Sequence, residues 1–296
     1  MSVSGDCLGI CFADHQLFYA VNDPARRNHL KYIGCIDFNF PVIEALINPE
    51  SQNYDALKRS IGRLQHSYSN RNVRMLSPAV YECWTIFPRL VYETPDERDD
   101  HLSILMDGMP RSETEPIWFE LSNPDYKLLL VRNRSITDNY RNLLLGFHQI
   151  DLVSEFEIGM EWRCLTGTKG SYLTVNCRHD HITVSSYLLG KLRGATFIRF
   201  DTVSDLIYFW NFYGQHLHWL HGIHEQVYVY GNNAMEIIET MGSNLNETGE
   251  LITMNSLEQM QVIANESTYG FKLESAFPSV LLSLNLSGQM NKSHQL

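Results

Sequence analysis

The sequence predicts an α/β protein of two lobes, each a mixed sheet flanked by helices. Three observations carry that expectation. A strand–turn–strand pattern spans Leu8 to Val21, LGICFADHQLFYAV, with Asp14 and His15 at its tip. A second spans Tyr172 to Leu188, YLTVNCRHDHITVSSYL, with Asp180 and His181 at its tip. Downstream, VYVYGNNA (Val227 to Ala234) reads as a buried strand running into Gly231. Internal repeats reveal architecture that local reading misses. A repeated hairpin followed by a strand ending in glycine outlines a duplicated, two-lobed nucleotide-binding fold.

Bulk properties narrow the class. With 44% hydrophobic and 19% charged residues, the 296-residue chain can build a globular core and is not a disordered segment. A formal net charge of −11 argues against a nucleic-acid partner or an anionic membrane surface, both of which need basic patches. The six cysteines, Cys7, Cys11, Cys35, Cys83, Cys164 and Cys177, form no C-x-x-C pair, so neither a zinc ribbon nor a thioredoxin-like motif is present. They read as reduced, mostly core thiols. The first residues, MSVSGDCLGICF, lack the basic and apolar regions of a signal peptide, and no run reaches the ~18 apolar residues of a membrane span. The expectation is a cytoplasmic protein without direct membrane insertion.

The elements follow in order. After the first hairpin, Asp23-Pro24 opens a turn and Leu30 to Phe38 is a strand. Phe40 to Ile47 starts a helix. Tyr54 to Tyr68 repeats apolar residues at Leu57, Ile61 and Leu64, a helical stripe. A turn at Asn70 to Asn72 precedes strands at Val73 to Val80 and Cys83 to Val91. Pro95 to Asp100 reads as a charged break, His101 to Gly108 as a helix and Met109 to Pro116 as a loop. Ser122-Asn123-Pro124-Asp125 is a strong turn between strands Ile117 to Leu121 and Tyr126 to Arg132. A helix at Ser135 to Phe147, a strand at Ile150 to Phe156 and a short helix at Gly159 to Leu165 lead into the second hairpin. Beyond it come a strand at Ala195 to Phe200, an Asp201-capped helix at Val203 to Leu220, and the strand Val227 to Tyr230. A helix at Met235 to Met241, a strand at Leu251 to Thr253 and a closing helix at Phe277 to Leu286 complete the series. The expected division is an N-terminal lobe at 5–165 with an inserted subdomain near 73–134, a C-terminal lobe at 166–288 and a tail at 289–296.

This order of elements resembles the actin-like ATPase superfamily, a duplicated ribonuclease H-like fold that includes sugar kinases and heat-shock chaperones. It is most similar to the bacterial pilus and secretion branch, the PilM and GspL type proteins, and to related uncharacterised bacterial proteins. Four stretches carry the resemblance: the two hairpins, the passage Tyr126 to Leu165 between lobes, and VYVYGNNA at the adenosine motif.

The resemblance implies two phosphate hairpins, each with an aspartate that positions Mg²⁺ through water, followed two residues on by glycine. Here those aspartate positions fall at Cys11 and Asn176, and the glycine positions at Ala13 and Arg178. Sulfur is a poor Mg²⁺ ligand and asparagine carries no charge for it. Gly231 is kept, with Asn232 and Asn233 after it. The candidate nucleotide-site residues are therefore Asp14, His15, Asn176, Asp180, His181, Gly231 and Asn232, in an eroded site. Asp14 and Asp180 are either substitutes for the missing carboxylates or ordinary turn residues.

Two further constellations compete. His216, His218, His221 and His224 have a spacing that would allow zinc on a helix, or they form a polar helix end suited to the helix dipole. The aromatic stretch from Tyr208 to Trp219 is a core helix or, alternatively, an exposed docking face. No P-loop, G-x-S-x-G or H-E-x-x-H motif is present.

The expectation is a non-catalytic actin-like scaffold with no resident cofactor or metal and no catalytic residues. Its expected partner is a protein or peptide, by analogy a short cytoplasmic tail of a membrane protein in a cell-envelope or pilus-type assembly. The alternative is an ATPase or kinase of the same fold that binds ATP and Mg²⁺ through atypical loops.

Overall fold

Two sheets repeat one strand order. The computed structural model describes residues 7–68, 72–106, 113–220, 222, 224–266 and 270–284. In the first lobe β1 (Cys7–Ala13), β2 (Gln16–Asn22) and β3 (His29–Asp37) form an antiparallel meander, and β4 (Asn72–Ser77) returns parallel to β1. Helices α1 (Val42–Ile47) and α2 (Gln52–Tyr68) make that crossover. The stripe on α2 is buried as its spacing predicts, through Tyr54, Leu57, Ile61 and Leu64, each such burial being worth roughly 1.5–3 kcal/mol.

Between β4 and the lobe's next strand lies an insertion. It holds β5 (Glu82–Pro88), α3 (Arg89–Glu93), α4 (Pro95–Leu105), β6 (Thr114–Glu120) and β7 (Tyr126–Asn133). Its strands form a separate sheet in the order β5-β7-β6. After α5 (Arg134–Leu143), β8 (Gln149–Ser154) rejoins the first sheet beside β4. Helix α6 (Ile158–Thr166) then leads to the second lobe.

There β9 (Ser171–Cys177), β10 (His181–Leu188) and β11 (Lys191–Arg199) repeat the meander. Helix α7 (Val203–His216) carries the chain to β12 (Gln226–Tyr230), parallel to β9, and α8 (Ala234–Thr248) to β13 (Glu250–Thr253). The orders β3-β2-β1-β4-β8 and β11-β10-β9-β12-β13 are the same third-second-first-fourth-fifth arrangement. The chain then returns to the first lobe. β14 (Ile263–Glu266) pairs parallel with β3, and α9 (Leu273–Ser283) packs on the first sheet. That packing is close: a Cβ on Gly9 of β1 would lie 2.0 Å from the Ser279 carbonyl oxygen.

Several expectations are corrected. Residues 73–77 belong to the first sheet, so the insertion starts after β4. Residues 263–283, expected in the second lobe, pack on the first. Pro95 to Asp100 is not a break but the start of α4, with Pro95 in its first turn beside Asp96 and Glu97. Proline lacks only an N–H that the first turn leaves unbonded, and acidic groups suit the positive helix end. Pro116, expected in a loop, lies in edge strand β6, where proline is tolerated. α7 is capped by Thr202 with Asp205 in a capping box, not by Asp201. It ends at His216 rather than Leu220, because the chain turns to lay Trp219 on Gly194 of β11. The turn at 70–71, part of the loop at 109–112, residues 285–286 of the closing helix and the tail at 289–296 lie outside the described residues. Among the described residues no helix is long and apolar enough to cross a membrane.

Candidate functional site

The tips of the two hairpins face each other, and side chains of the second reach into the first. Arg178 leaves the end of β9 and is buried. Its Nη1 donates to the Phe12 carbonyl oxygen at 2.9 Å. Its Nη2 lies 4.0 Å from Cys11 Sγ and 3.6 Å from Glu155 Oε1. The other Glu155 oxygen accepts a hydrogen bond from the Thr183 hydroxyl on β10. Burial opposes the Arg178 charge, but Cys11, Glu155 and Asp14 outweigh it, and its pKa moves up. The guanidinium is therefore a fixed cation, with Glu155 as its buried carboxylate partner. Burial pushes the Cys11 thiol up to about 11 against the opposing Arg178 charge, so it is neutral at pH 7.

Asp14 takes the other side of the junction. It sits at a positive φ of 42°, a conformation that Asp tolerates at turns. One carboxylate oxygen lies 3.1 Å from His179 Nδ1, and the other accepts from the Asn232 amide. Asp14 thus joins the first hairpin to both the second hairpin and the loop after β12. Asp180 turns away to His181 Nδ1 at 2.6 Å. That hydrogen bond, with the charges of His181 and His179, holds its carboxyl down at about 2. His181 is buried and lies beside the Phe197 ring. His15 is exposed at the tip.

Asn176 is buried and faces Gly231. Gly231 has a φ of 105°, and a Cβ there would lie 2.3 Å from the Cys177 carbonyl oxygen and 2.7 Å from Asn176 Oδ1. Only glycine fits both the dihedral and the space. Its N–H donates to the Glu274 carbonyl oxygen at 2.9 Å, which ties the motif to α9.

The structure thus joins Asp14 directly to Asn232, places Asn176 against Gly231, and pairs Asp180 with His181. Sequence reasoning missed His179, Glu155 and Thr183 as members of this junction. The Ser154-x-x-Glu157 spacing was a usable signal for Glu155: it marks a capping box, which the structure forms, and places Glu155 in its first turn rather than on a strand.

Mg²⁺ and a nucleotide phosphate do not fit these side chains as placed. Arg178 stands where the resemblance expects glycine, and its side chain fills the gap that backbone N–H groups would open to phosphate. Arginine binds phosphate well, but the donors of this one are turned to Phe12 and Glu155. One Asp14 oxygen lies against His179 and the other accepts from Asn232, contacts that the water shell of an Mg²⁺ ion would have to displace.

The histidine cluster disperses. His216 is exposed, stacked on Phe212 at 4.2 Å. His218 is exposed, and His221 lies outside the described residues. His224 is buried, its Nε2 sharing a 3.0 Å hydrogen bond with Ser186 Oγ. Among the described residues no three His, Cys, Asp or Glu side chains converge as a metal site.

The duplicated strand order, the facing hairpins and the Gly231 motif define the actin-like ATPase fold. Comparisons with solved structures agree. A chain of the PilM–PilN type IV pilus biogenesis complex superposes with a TM-score of 0.67 at 12% identity, over 95% of this chain and 98% of that one. A Bacteroides thetaiotaomicron protein with an actin-like ATPase fold and unknown function gives a TM-score of 0.51 at 14% identity, over 88% and 95% of the two chains. At these identities the likeness establishes the fold alone. No family model and no curated protein sequence matches the chain.

Proposed function

We propose that this chain is a non-catalytic actin-like protein that works as a cytoplasmic, protein-binding scaffold in a cell-envelope or pilus-type assembly. The observation that carries the reading is Arg178. In the pattern the resemblance implies, nucleotide phosphate and Mg²⁺ lie between the two hairpins. Here an internal guanidinium, its carboxylate partner Glu155 and the Asp14 contacts bridge them instead. The lobes then rest in one closed arrangement that needs no ligand and offers constant surfaces to a partner. The similarity to a chain of the PilM–PilN complex supports a protein partner, with a short cytoplasmic tail as the first type to try.

Thermal unfolding tests this reading. A ligand that binds the native state raises its stability by RT ln(1 + [L]/Kd), about 2.7 kcal/mol at a hundredfold excess over Kd. The expected result is an unchanged midpoint with millimolar Mg²⁺·ATP or Mg²⁺·ADP. A rise that requires both metal and nucleotide would contradict it.

A further inference from the structure

The outer face of α7 carries a stripe of side chains that complements its own reverse. Asp205, Tyr208, Phe212 and His216 follow one another at steps of three, four and four residues, so they share one face of the helix. All four are exposed, Tyr208 by 66% and Phe212 by 42%, while Leu206 and Trp210 face inward and are buried. The rings form a ladder: Tyr208 and Phe212 lie near parallel with centroids 6.4 Å apart, and Phe212 stacks on His216 at 4.2 Å. Asp205 is fixed by the capping box, where one oxygen accepts from the Thr202 N–H and hydroxyl at 3.0 and 2.8 Å. Among the described residues nothing bonds its other oxygen. His216 Nδ1 donates to the Phe212 carbonyl oxygen at 2.7 Å, which leaves Nε2 for an outside group.

The surface around the rings has both signs of charge. Arg199, with its guanidinium 5.4 Å from the Phe197 ring centre, lines the groove at the N-terminal end of the stripe together with Asp201 and Asp205. A strongly charged partner of either sign meets like charge there. An antiparallel copy of the same helix does not. The order acid, ring, ring, base then sets Tyr208 against Phe212 of the second copy and Asp205 against its His216, and the same contacts recur at the other end. Such a contact is isologous, as a twofold axis requires. The spacing permits it: the midpoint between Asp205 and His216 and that between Tyr208 and Phe212 lie half a residue apart, less than about 1 Å of helix rise. One axis therefore serves both pairs. Each end gathers Arg199, Asp201 and Asp205 of one copy with His216 of the other, two cations and two carboxylates when that imidazole is protonated. The rings supply the affinity, and the charged ends set the direction.

We infer that α7 is a homodimer face on which two copies of this chain pack the helix antiparallel about a twofold axis. One helix face is smaller than the roughly 800 Å² per partner of a standard interface, so the dimer is reversible, with a Kd on the order of 10–100 µM. The face is separate from the hairpin junction, so this inference and the nucleotide-free reading stand or fall independently.

Sedimentation velocity on the full chain tests it, from about 1 to 300 µM in about 0.15 M salt near pH 6.5. That salt screens the −11 charge of each copy to a Debye length of about 8 Å, and the pH lies in the range where histidine takes up a proton. The expected result is a monomer at the lowest concentration that becomes a dimer, and nothing larger, at the highest. Replacing both exposed rings (Tyr208→Ala with Phe212→Ala) leaves the charge unchanged and is expected to weaken association at least about tenfold. His216→Glu sets a carboxylate against Asp205 and is expected to weaken it about fivefold or more, while His216→Lys keeps a cation there and holds affinity within about threefold. Far-ultraviolet circular dichroism checks that each variant is folded. A monomer at every concentration, growth beyond the dimer, indifference to the ring substitutions, or equal losses in His216→Glu and His216→Lys would overturn the assignment.

Discussion

Arg178 of the second hairpin donates a 2.9 Å hydrogen bond to the carbonyl oxygen of Phe12 in the first. The guanidinium is buried, so its stability depends on Glu155. Removing one partner of a buried pair leaves an uncompensated charge and costs about 3–5 kcal/mol, while removing both costs less than the sum. Arg178→Met and Glu155→Gln should each lower the denaturation midpoint strongly, and the double variant should be more stable than additivity allows. Strictly additive losses would mean the two side chains do not act as a pair.

His224 makes stability depend on pH. Burial, helped by the Arg193 charge, pushes its pKa down from 6.5 to about 4. Between those values the unfolded chain binds a proton that the folded chain refuses, so this group's contribution is complete above about pH 6.5 and is lost as pH falls toward 4. The difference amounts to at most about 3 kcal/mol. Denaturation midpoints should rise from pH 4 to 6.5, and His224→Gln should flatten that slope. An unchanged slope in the variant would place the titrating group elsewhere.

The two lobes respond oppositely to added methyl groups. Gly9→Ala drives a Cβ into the α9 backbone at Ser279 and Ser283 and should destabilise by about 2–4 kcal/mol. Gly214→Ala meets nothing in the last turn of α7 and should stabilise by up to roughly 0.5–1 kcal/mol through helix propensity. Thermal midpoints of the two variants check both signs.

The repeated hairpins, the Gly231 strand and the apolar stripe of α2 were legible because each is a local periodic pattern that tertiary packing reinforces. What local pattern could not show was return and contact. β14 is a four-residue edge strand whose Ile263 is 59% exposed, so it carries no alternation. α9 reads as an apolar helix whatever sheet it covers. In the site, Asp14 was singled out at the tip of the first hairpin, Asn176 as the position where the resemblance expects an aspartate, and Gly231 at the end of the strand that follows, while Arg178 was noted only as a departure from glycine. That its side chain spans to Phe12, 166 positions earlier, is a long-range fact that spacing does not contain. The aromatic residues from Tyr208 to Trp219 divide between both readings: Trp210 in α7 and Trp219 beyond it are buried, while Tyr208 and Phe212 are exposed.

The central claim is that an internal arginine takes the place of nucleotide between the hairpins. Titration calorimetry of the purified chain with Mg²⁺·ATP, beside Arg178→Gly, addresses it most directly. The account predicts no binding heat for the wild-type chain at millimolar nucleotide. Saturable, stoichiometric, Mg²⁺-dependent heat from the wild-type chain, abolished by Gly231→Trp, would contradict it.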